Sequence, residues 1–567
     1  MKSHLKNLSI INQTPTQFNR IGQGSIGGKA ESLLLLHKLL QNSDLHSNFP
    51  QISIYVPHSI IICSDEFDRF LKKNKLLNIN FDFLNDADIN RLFLISNFSE
   101  SFHSYVKIFL QNFKAPLAVR SSGLLEDSSD RPFAGIYRTL MLPNNSKNSE
   151  TNLVNLLNAI KLVYASTYLK AARAYHKTNN SNVHNEKMAV IVQEVVGQQY
   201  GTFYYPTFSG VAQSYSFYPI SFMKPDDGVV NVALGLGMNI VNGGNSIQFS
   251  PRFPKIVPQL SSEQSIEGET QKCFFAINLN KIDTPFELLS EDRINMVNLS
   301  HAKRHGSLYF VSDPPEFQNI TFSPILKDNI FPLAKLVQHI LDIGKSHLNR
   351  PVEIEFSANL RKNENEKSEF ALLQMRPFSK NSLAVSIDSK QIREDEILIR
   401  ASSSLGNGEI KNIYDLVFIK PELFNPIVST MIAKELGKIN ESIQNSDRTY
   451  ILICPGRLGS LDVALGIPAT WDQISGVKII VEISMEGLNI EPSQGSHFFK
   501  NIASFEIGFA CINPKNATDF IDYQWLENNE PYKETEYVLH FRFDTPLVTK
   551  IDSHNRLMII TKPGKNN

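Results

Sequence analysis

Hydrophobic positions along the chain follow three patterns, and each predicts a different kind of element. Short continuous apolar runs read as buried strands: Pro116 to Val119, MAVIVQEVV over Met188 to Val196, Tyr450 to Ile453 and VKIIVEIS at 477–484. Ile52 to Ile62 reads as a strand interrupted by Pro57, and Glu396 to Ala401 as a further strand. Alternation over Val352-Glu353-Ile354-Glu355-Phe356 places both glutamates on one strand face, and Gln374 and Arg376 share a face in the same way. Helical periodicity marks residues 65 to 112, where DEFDRFLKK has the acidic start and basic end that suit the helix dipole. It also marks one long amphipathic segment from Leu153 to Lys177, and SLLLLHKLL after the glycine turn Gly27-Gly28-Lys29. Residues 1 to about 20 and 255 to 330 are polar and predict little regular structure.

The polar residues at the ends of these elements are the chemical candidates. Arg120-Ser121-Ser122 follows where an apolar strand surfaces, with Glu126, Asp127, Asp130 and Arg131 beyond it and Phe133-Ala134-Gly135 closing the run. A guanidinium beside two hydroxyls forks onto phosphate oxygens, although such a loop also occurs as a solvated turn. Lys29 sits at a helix start whose free N–H groups attract anions; an ordinary capped helix is the alternative. Glu353, Glu355, Gln374 and Arg376 on two antiparallel strands suit magnesium and phosphates, or else form cross-strand charge pairs. Tyr200 to Tyr218, with Gly201 and Ser209-Gly210, is either a flexible flap or a hairpin of aromatic strands. Pro455 to Ser460 offers an arginine and backbone amides to an anion. His497, at a helix start, is either a phosphate ligand or acceptor, or a capping core residue.

Composition narrows the class. At 567 residues the chain is long enough for roughly three or four compact units. A content of 42% hydrophobic and 20% charged residues is that of a soluble globular protein, and a net charge of -1 gives no general attraction for nucleic acid or anionic membrane. Cys63, Cys273, Cys454 and Cys511 are too scattered for a metal spacing and fit a reducing compartment. With no apolar run long enough to span a bilayer and no signal-peptide core, the expected location is cytoplasmic.

The stretch Ala115 to Thr139, APLAVRSSGLLEDSSDRPFAGIYRT, resembles the nucleotide-binding segment of the phosphoenolpyruvate synthase and pyruvate phosphate dikinase family. Its usual form there is RSSATAED, five residues, then FAGQQDT. This chain keeps the gap but carries Gly123-Leu124-Leu125 and Ile136-Tyr137-Arg138 instead of the usual residues. Three other stretches are similar in the same order: Gly27-Gly28-Lys29 to GGKGANL, Asn231 to Gly244 to GLGE-x-VV-x-G, and Glu353 to Pro377 to an acidic-Ile-Glu strand followed by Leu-Gln-x-Arg-Pro. Met238 stands where the acidic residue is usual, and Glu353 where aspartate is more common. Ser300-His301-Ala302 is similar to the family's phosphocarrier histidine context but lies before the glutamates instead of after them, so no carrier role is transferred. LGIPA at 465–469 is likewise similar to a carrier-domain phrase, in the wrong order relative to His497.

The resemblance covers about residues 20 to 380. It implies an α+β, ATP-grasp-like, two-lobed nucleotide-binding fold over residues 21–385, after a polar segment at 1–20 and before a smaller α/β domain at 390–567. It implies ATP and Mg2+ as cofactors, with catalytic roles for Lys29, Arg120 and Arg376. Nucleotide contacts fall to Lys29, Arg120, Gly135, Thr139, Gln193, Gln374 and Arg376, and the metal to Glu353 and Glu355. About 180 residues follow position 390, too few for a carrier domain and a barrel of about 250 residues. The expected activity is therefore an ATP-dependent phosphotransferase, kinase-like or dikinase-like, lacking the phosphohistidine and pyruvate-barrel domains. Its acceptor would be a separate phosphocarrier protein or a small molecule, with no nucleic acid or membrane partner. The alternative is a non-catalytic ATP sensor signalling through its C-terminal domain.

Overall fold

Proline at 57 divides one apolar run into two strands, and the strands enter different sheets. The computed structural model describes residues 18–124, 126, 135–178, 183–219, 222–260, 270–271, 273–280, 294–298, 309–311, 318–361, 363, 365–378, 392–485, 496–552 and 555–564. The chain forms two units. The first comprises Met1–Tyr215, Asp226–Asn239 and Asn245–Phe378, and the second Ser216–Pro225, Ile240–Gly244 and Ser379–Asn567.

In the first unit, one five-stranded sheet has the order β1 (Phe18–Ile21), β3 (Ser59–Ile62), β6 (Met188–Glu194), β4 (Leu117–Gly123), β5 (Thr139–Leu142). A six-stranded sheet has the order β11 (Ile247–Phe249), β10 (Val229–Leu234), β9 (Phe208–Gln213), β16 (Val352–Asn359), β17 (Ser368–Pro377), β2 (Ile52–Tyr55). A third sheet joins β13 (Ile294–Asn298), β12 (Cys273–Asn278), β8 (Phe203–Tyr205) and β7 (Gln198–Tyr200), and β14 (Tyr309–Val311) pairs with β15 (Gln318–Ile320).

The six-stranded sheet has two unlike faces because its strands alternate. Ala212, Val230, Val232, Ile354, Phe356, Phe370, Leu372 and Met375 belong to a core shared with helix Leu333–Leu348 and with helix Gly28–Gln41. Gln213, Glu353 and Arg376 lie side by side on the other face, in register across β9, β16 and β17. Glu355 and Gln374 form the next row. Strict alternation then fails: the register shifts between Glu355 and Phe356, and Leu373 has no partner in the ladder. Such a bulge re-aims the backbone locally.

The second unit is built on a large sheet of order β19 (Ser403–Leu405), β25 (Gly508–Ile512), β24 (Val477–Ile483), β21 (Tyr450–Pro455), β20 (Gly408–Ile419), β28 (Val538–Asp552), β29 (Leu557–Thr561), β18 (Ile397–Ala401), β26 (Phe520–Ile521). β27 (Lys533–Glu534) pairs with β28, and β22 (Arg457–Leu458) pairs with β23 (Gly466–Ile467). Its centre, β20, β21, β24 and β25, is parallel, with helices Ser429–Gln444, Trp471–Ile474 and His497–Ser504 in the connections. Parallel strands are covered on both faces, which explains the uninterrupted apolar runs at 450–453 and 477–484.

Some expectations change. The long amphipathic segment from Leu153 to Lys177 falls in two helices, Ser149–Ser166 and Lys170–Thr178. The first buries residues all round, from Leu156 and Ile160 to Lys161 and Tyr164, so a one-sided amphipathic reading does not describe it. Within 255–330, β12 to β15 form despite polar flanks. Of Tyr200 to Tyr218, the described structure is the hairpin of β7 and β8, turning through Gly201 at φ 61°, followed by the buried strand β9. Asp127, Asp130, Arg131, Phe133, Ala134 and Ser300-His301-Ala302 lie outside the described residues.

Candidate functional site

Two motifs far apart in sequence meet at the first turn of helix Gly28–Gln41. Gly27 precedes it at φ 75°, a left-handed conformation that glycine adopts without strain, and a Cβ there would lie 1.8 Å from the Ser122 carbonyl oxygen. This approach lets Ser122 Oγ donate to the Ile26 carbonyl at 2.8 Å and accept from the Ala30 N–H at 3.1 Å. One of the orphan donors of the helix start is thus satisfied from β4. Lys29 Nζ reaches Ser121 Oγ at 3.1 Å and Glu126 Oε1 at 2.7 Å. Glu126 is buried and also accepts from Ser121 Oγ and the Gly123 N–H, at 2.8 and 2.7 Å. The same helix touches β17 through Ser32, whose Oγ accepts from the Met375 N–H at 2.9 Å and bonds the Met375 carbonyl. Met375 lies between Gln374 and Arg376, so one helix links the lysine turn to the polar rows.

Arg120 crosses from the five-stranded sheet to the six-stranded one. Its Nη1 donates to Gln193 Oε1 and to the Leu373 carbonyl, both at 3.0 Å, and its Nη2 donates to Gln374 Oε1 at 2.8 Å. Glu355 Oε2 lies 3.9 Å from the same guanidinium. The Leu373 carbonyl is the one that the bulge takes out of register, so the irregular strand supplies an arginine acceptor. Gln193 is buried, and its Nε2 donates to Ser59 Oγ at 3.1 Å. The neighbouring N–H groups of Glu194 and Val195 go to the His58 and Pro116 carbonyls.

Glu353 and Arg376 form a buried pair. Arg376 Nε and Nη2 donate to Glu353 Oε1 at 3.0 and 2.9 Å, and Gln213 Nε2 donates to Glu353 Oε2 at 2.8 Å. Removing one member of such a pair typically costs 3–5 kcal/mol, because the other charge is left buried alone.

The remaining candidates are less tightly drawn together. Thr139 is exposed at the start of β5, opposite Arg120 in the ladder; Gly135 is exposed at φ 69°, at the end of the undescribed stretch. Met238 packs against an apolar cluster of Ala118, Val195, Leu236, Ile277 and Leu279. His497 opens helix His497–Ser504 in the second unit, where Ser496 Oγ caps the Phe499 N–H at 3.1 Å.

Sequence reasoning assigned no role to Glu186, which clasps both ends of the arginine loop. Its Oε1 accepts from the Leu124 N–H at 2.7 Å and its Oε2 from the Tyr137 hydroxyl at 3.1 Å. Burial, reinforced by nearby Glu126, pushes its carboxyl up to about 7. Gln213 was also passed over. Its only local signal was its spacing of two from Val211, and the β9–β16 pairing that sets it beside Glu353 is non-local.

A mixed two-lobed unit whose sheets are bridged by arginine over a polar face is an ATP-grasp-type nucleotide-binding domain. Residues 23–396 match the family model described as pyruvate phosphate dikinase, AMP/ATP-binding domain, and the chain belongs to that family. Phosphoenolpyruvate synthase of Escherichia coli (strain K12) is 21% identical over 427 residues, covering 70% of this chain and 46% of that protein. The chain thus spans less than half the length of this relative. Among the described residues, no helix is long and apolar enough to cross a membrane.

Proposed function

We propose that the chain is an ATP-dependent phosphotransferase whose site is the polar face of the six-stranded sheet together with the strand and helix starts that meet it. The observation that carries this reading is Arg120, which donates to Gln193 on one sheet and to Gln374 and Leu373 on the other. A triphosphate lying there meets a guanidinium already oriented by three acceptors, so little reorganisation is needed to stabilise charge on a transferring phosphoryl group. Lys29, steadied by Glu126, and Arg376, steadied by Glu353, add positive charge on either side. Gly135 and Thr139 border the same loop and contribute backbone and hydroxyl contacts.

The donor chemistry suits magnesium. Glu353, Glu355 and the Gln374 amide present hard oxygens on one face, and among the described residues no group of three or more His, Cys, Asp or Glu offers another metal centre. When bound, the ion would neutralise phosphate charge. Glu353 and Glu355 would hold it, with Glu353 also fixing Arg376.

Met238 favours a second reading, a non-catalytic ATP sensor. Where the family usually carries a carboxylate, this chain packs a thioether into an apolar cluster. ATP labelled separately on its β and γ phosphates separates the two. Transfer of γ alone marks a kinase, and release of AMP with transfer of the β label marks a dikinase. Tight binding with neither product, across a panel of carrier proteins and small acceptors, would leave the sensor.

A further inference from the structure

We propose that Gln213 belongs to the magnesium-binding set of this site, its side-chain amide oxygen serving as a neutral hard donor to the ion. The inference rests on the nucleotide-dependent reading above and adds to it a residue to which the sequence reading gave no role.

Three observations converge on it. Gln213 stands on β9 directly beside Glu353, on the polar face, with Arg376 on the far side of that glutamate. Its amide orientation is dictated by chemistry: an ionised carboxylate only accepts, so the end facing Glu353 Oε2 at 2.8 Å is the nitrogen. Reversing the amide would set two acceptor oxygens against each other, so Oε1 is the end left for another partner. That oxygen is buried, in a residue only 3% exposed, and has no hydrogen-bond partner among the described residues. An unmatched buried polar atom costs roughly 1–3 kcal/mol, and native folds keep such atoms where something else completes them.

A cation is the partner that the surroundings favour. The neighbouring functional groups are the carboxylates of Glu353 and Glu355 and the amide oxygen of Gln374, and carboxylates with carbonyl oxygens are the donor set that magnesium, manganese and calcium prefer. Magnesium typically takes one or two carboxylates and fills its octahedron with phosphate and water. An amide oxygen flanking the carboxylates suits a direct bond in that octahedron.

The test is calorimetric titration of Mg2+ and Cd2+ into full-length protein saturated with adenosine 5′-[β,γ-imido]triphosphate, comparing wild type with Gln213→Leu and Gln213→Met. Thermal melting first establishes that each variant is folded. Gln213→Leu is expected to weaken Mg2+ binding about tenfold or more. Gln213→Met, which puts a soft sulfur near the position of the oxygen, is expected to shift preference towards Cd2+ relative to the leucine variant. Unchanged Mg2+ affinity in both variants overturns the inference and leaves the phosphotransferase reading standing. Equal weakening in both, with no shift towards Cd2+, also overturns it, because Gln213 would then act only by holding Glu353. Failure of the wild type to bind nucleotide at all overturns the underlying reading instead.

Discussion

Asp415 in the second unit and Glu353 in the first are both buried carboxylates held by arginine. Asp415 Oδ1 takes His540 Nε2 at 2.7 Å and Arg542 Nε at 2.9 Å, and its Oδ2 takes Arg448 Nε at 2.6 Å. Both arginines are further covered by aromatic rings, Arg448 over Tyr414 and Arg542 over Tyr532. Both carboxylate oxygens of Asp415 are thus matched inside the network. The Glu353 network has the same ingredients but ends on an amide oxygen without a hydrogen-bond partner among the described residues, beside a second carboxylate and a bulged strand. A closed network of buried charge is architecture, whereas we read one that ends on an unmatched amide oxygen on a polar face as a place for a ligand.

This contrast is open to attack. The largest effect is expected at the closed network: Asp415→Ala should cost 3–5 kcal/mol in the second unit, read by hydrogen exchange in β20 and β28, while nucleotide-analogue binding persists. Exchange rates equal to wild type would mean that this network is not the structural element described. Next, Arg120→Ala should lower ATP turnover by about 10²–10³-fold with little loss of folded protein. Turnover within a few-fold of wild type would remove the central residue of the site.

The third test uses the opposite pH responses of two buried acids. Glu186, raised from 4.5 to about 7 by burial and then by Glu126, binds its proton more tightly folded than unfolded. Its contribution to stability is full below about 4.5 and is lost as pH rises through 7. Asp415 behaves inversely. Burial alone would raise its carboxyl, but hydrogen bonds from His540, Arg542 and Arg448 outweigh this and hold it below the usual range. Its contribution is full above that range and fades in acid. Glu186→Gln should therefore remove a decline on the order of 3 kcal/mol between pH 5 and 8, read as proteolysis of the 124–137 loop. A loop whose protease sensitivity follows the same pH curve in both proteins would sink this assignment.

Much of this organisation was legible in the chain because it is local. The apolar runs at 188–194 and 477–483 became strands, and the Glu-x-Glu and Gln-x-Arg alternations do share a face. What escaped reading is non-local. No spacing within 208–213 says that Gln213 will lie beside a residue 140 positions later. Glu186 follows a polar loop and gave no sign that it would close a clasp on Leu124 and Tyr137. The slip at Leu373 breaks a pattern that otherwise reads as perfect alternation. Ser122 was read only as one of two hydroxyls beside the arginine, and its Oγ caps the helix that carries Lys29.

The crossing at Pro57 sets a mechanical limit. Tyr55 ends a strand in one sheet and Ser59 begins a strand in the other, so four Cα steps are all the cord available at that point. Fully drawn out, they reach about 14 Å. The lobes cannot drift apart there to admit a bulky substrate, and any gape between them has to open like a purse, wide at the clasp and fixed at the hinge.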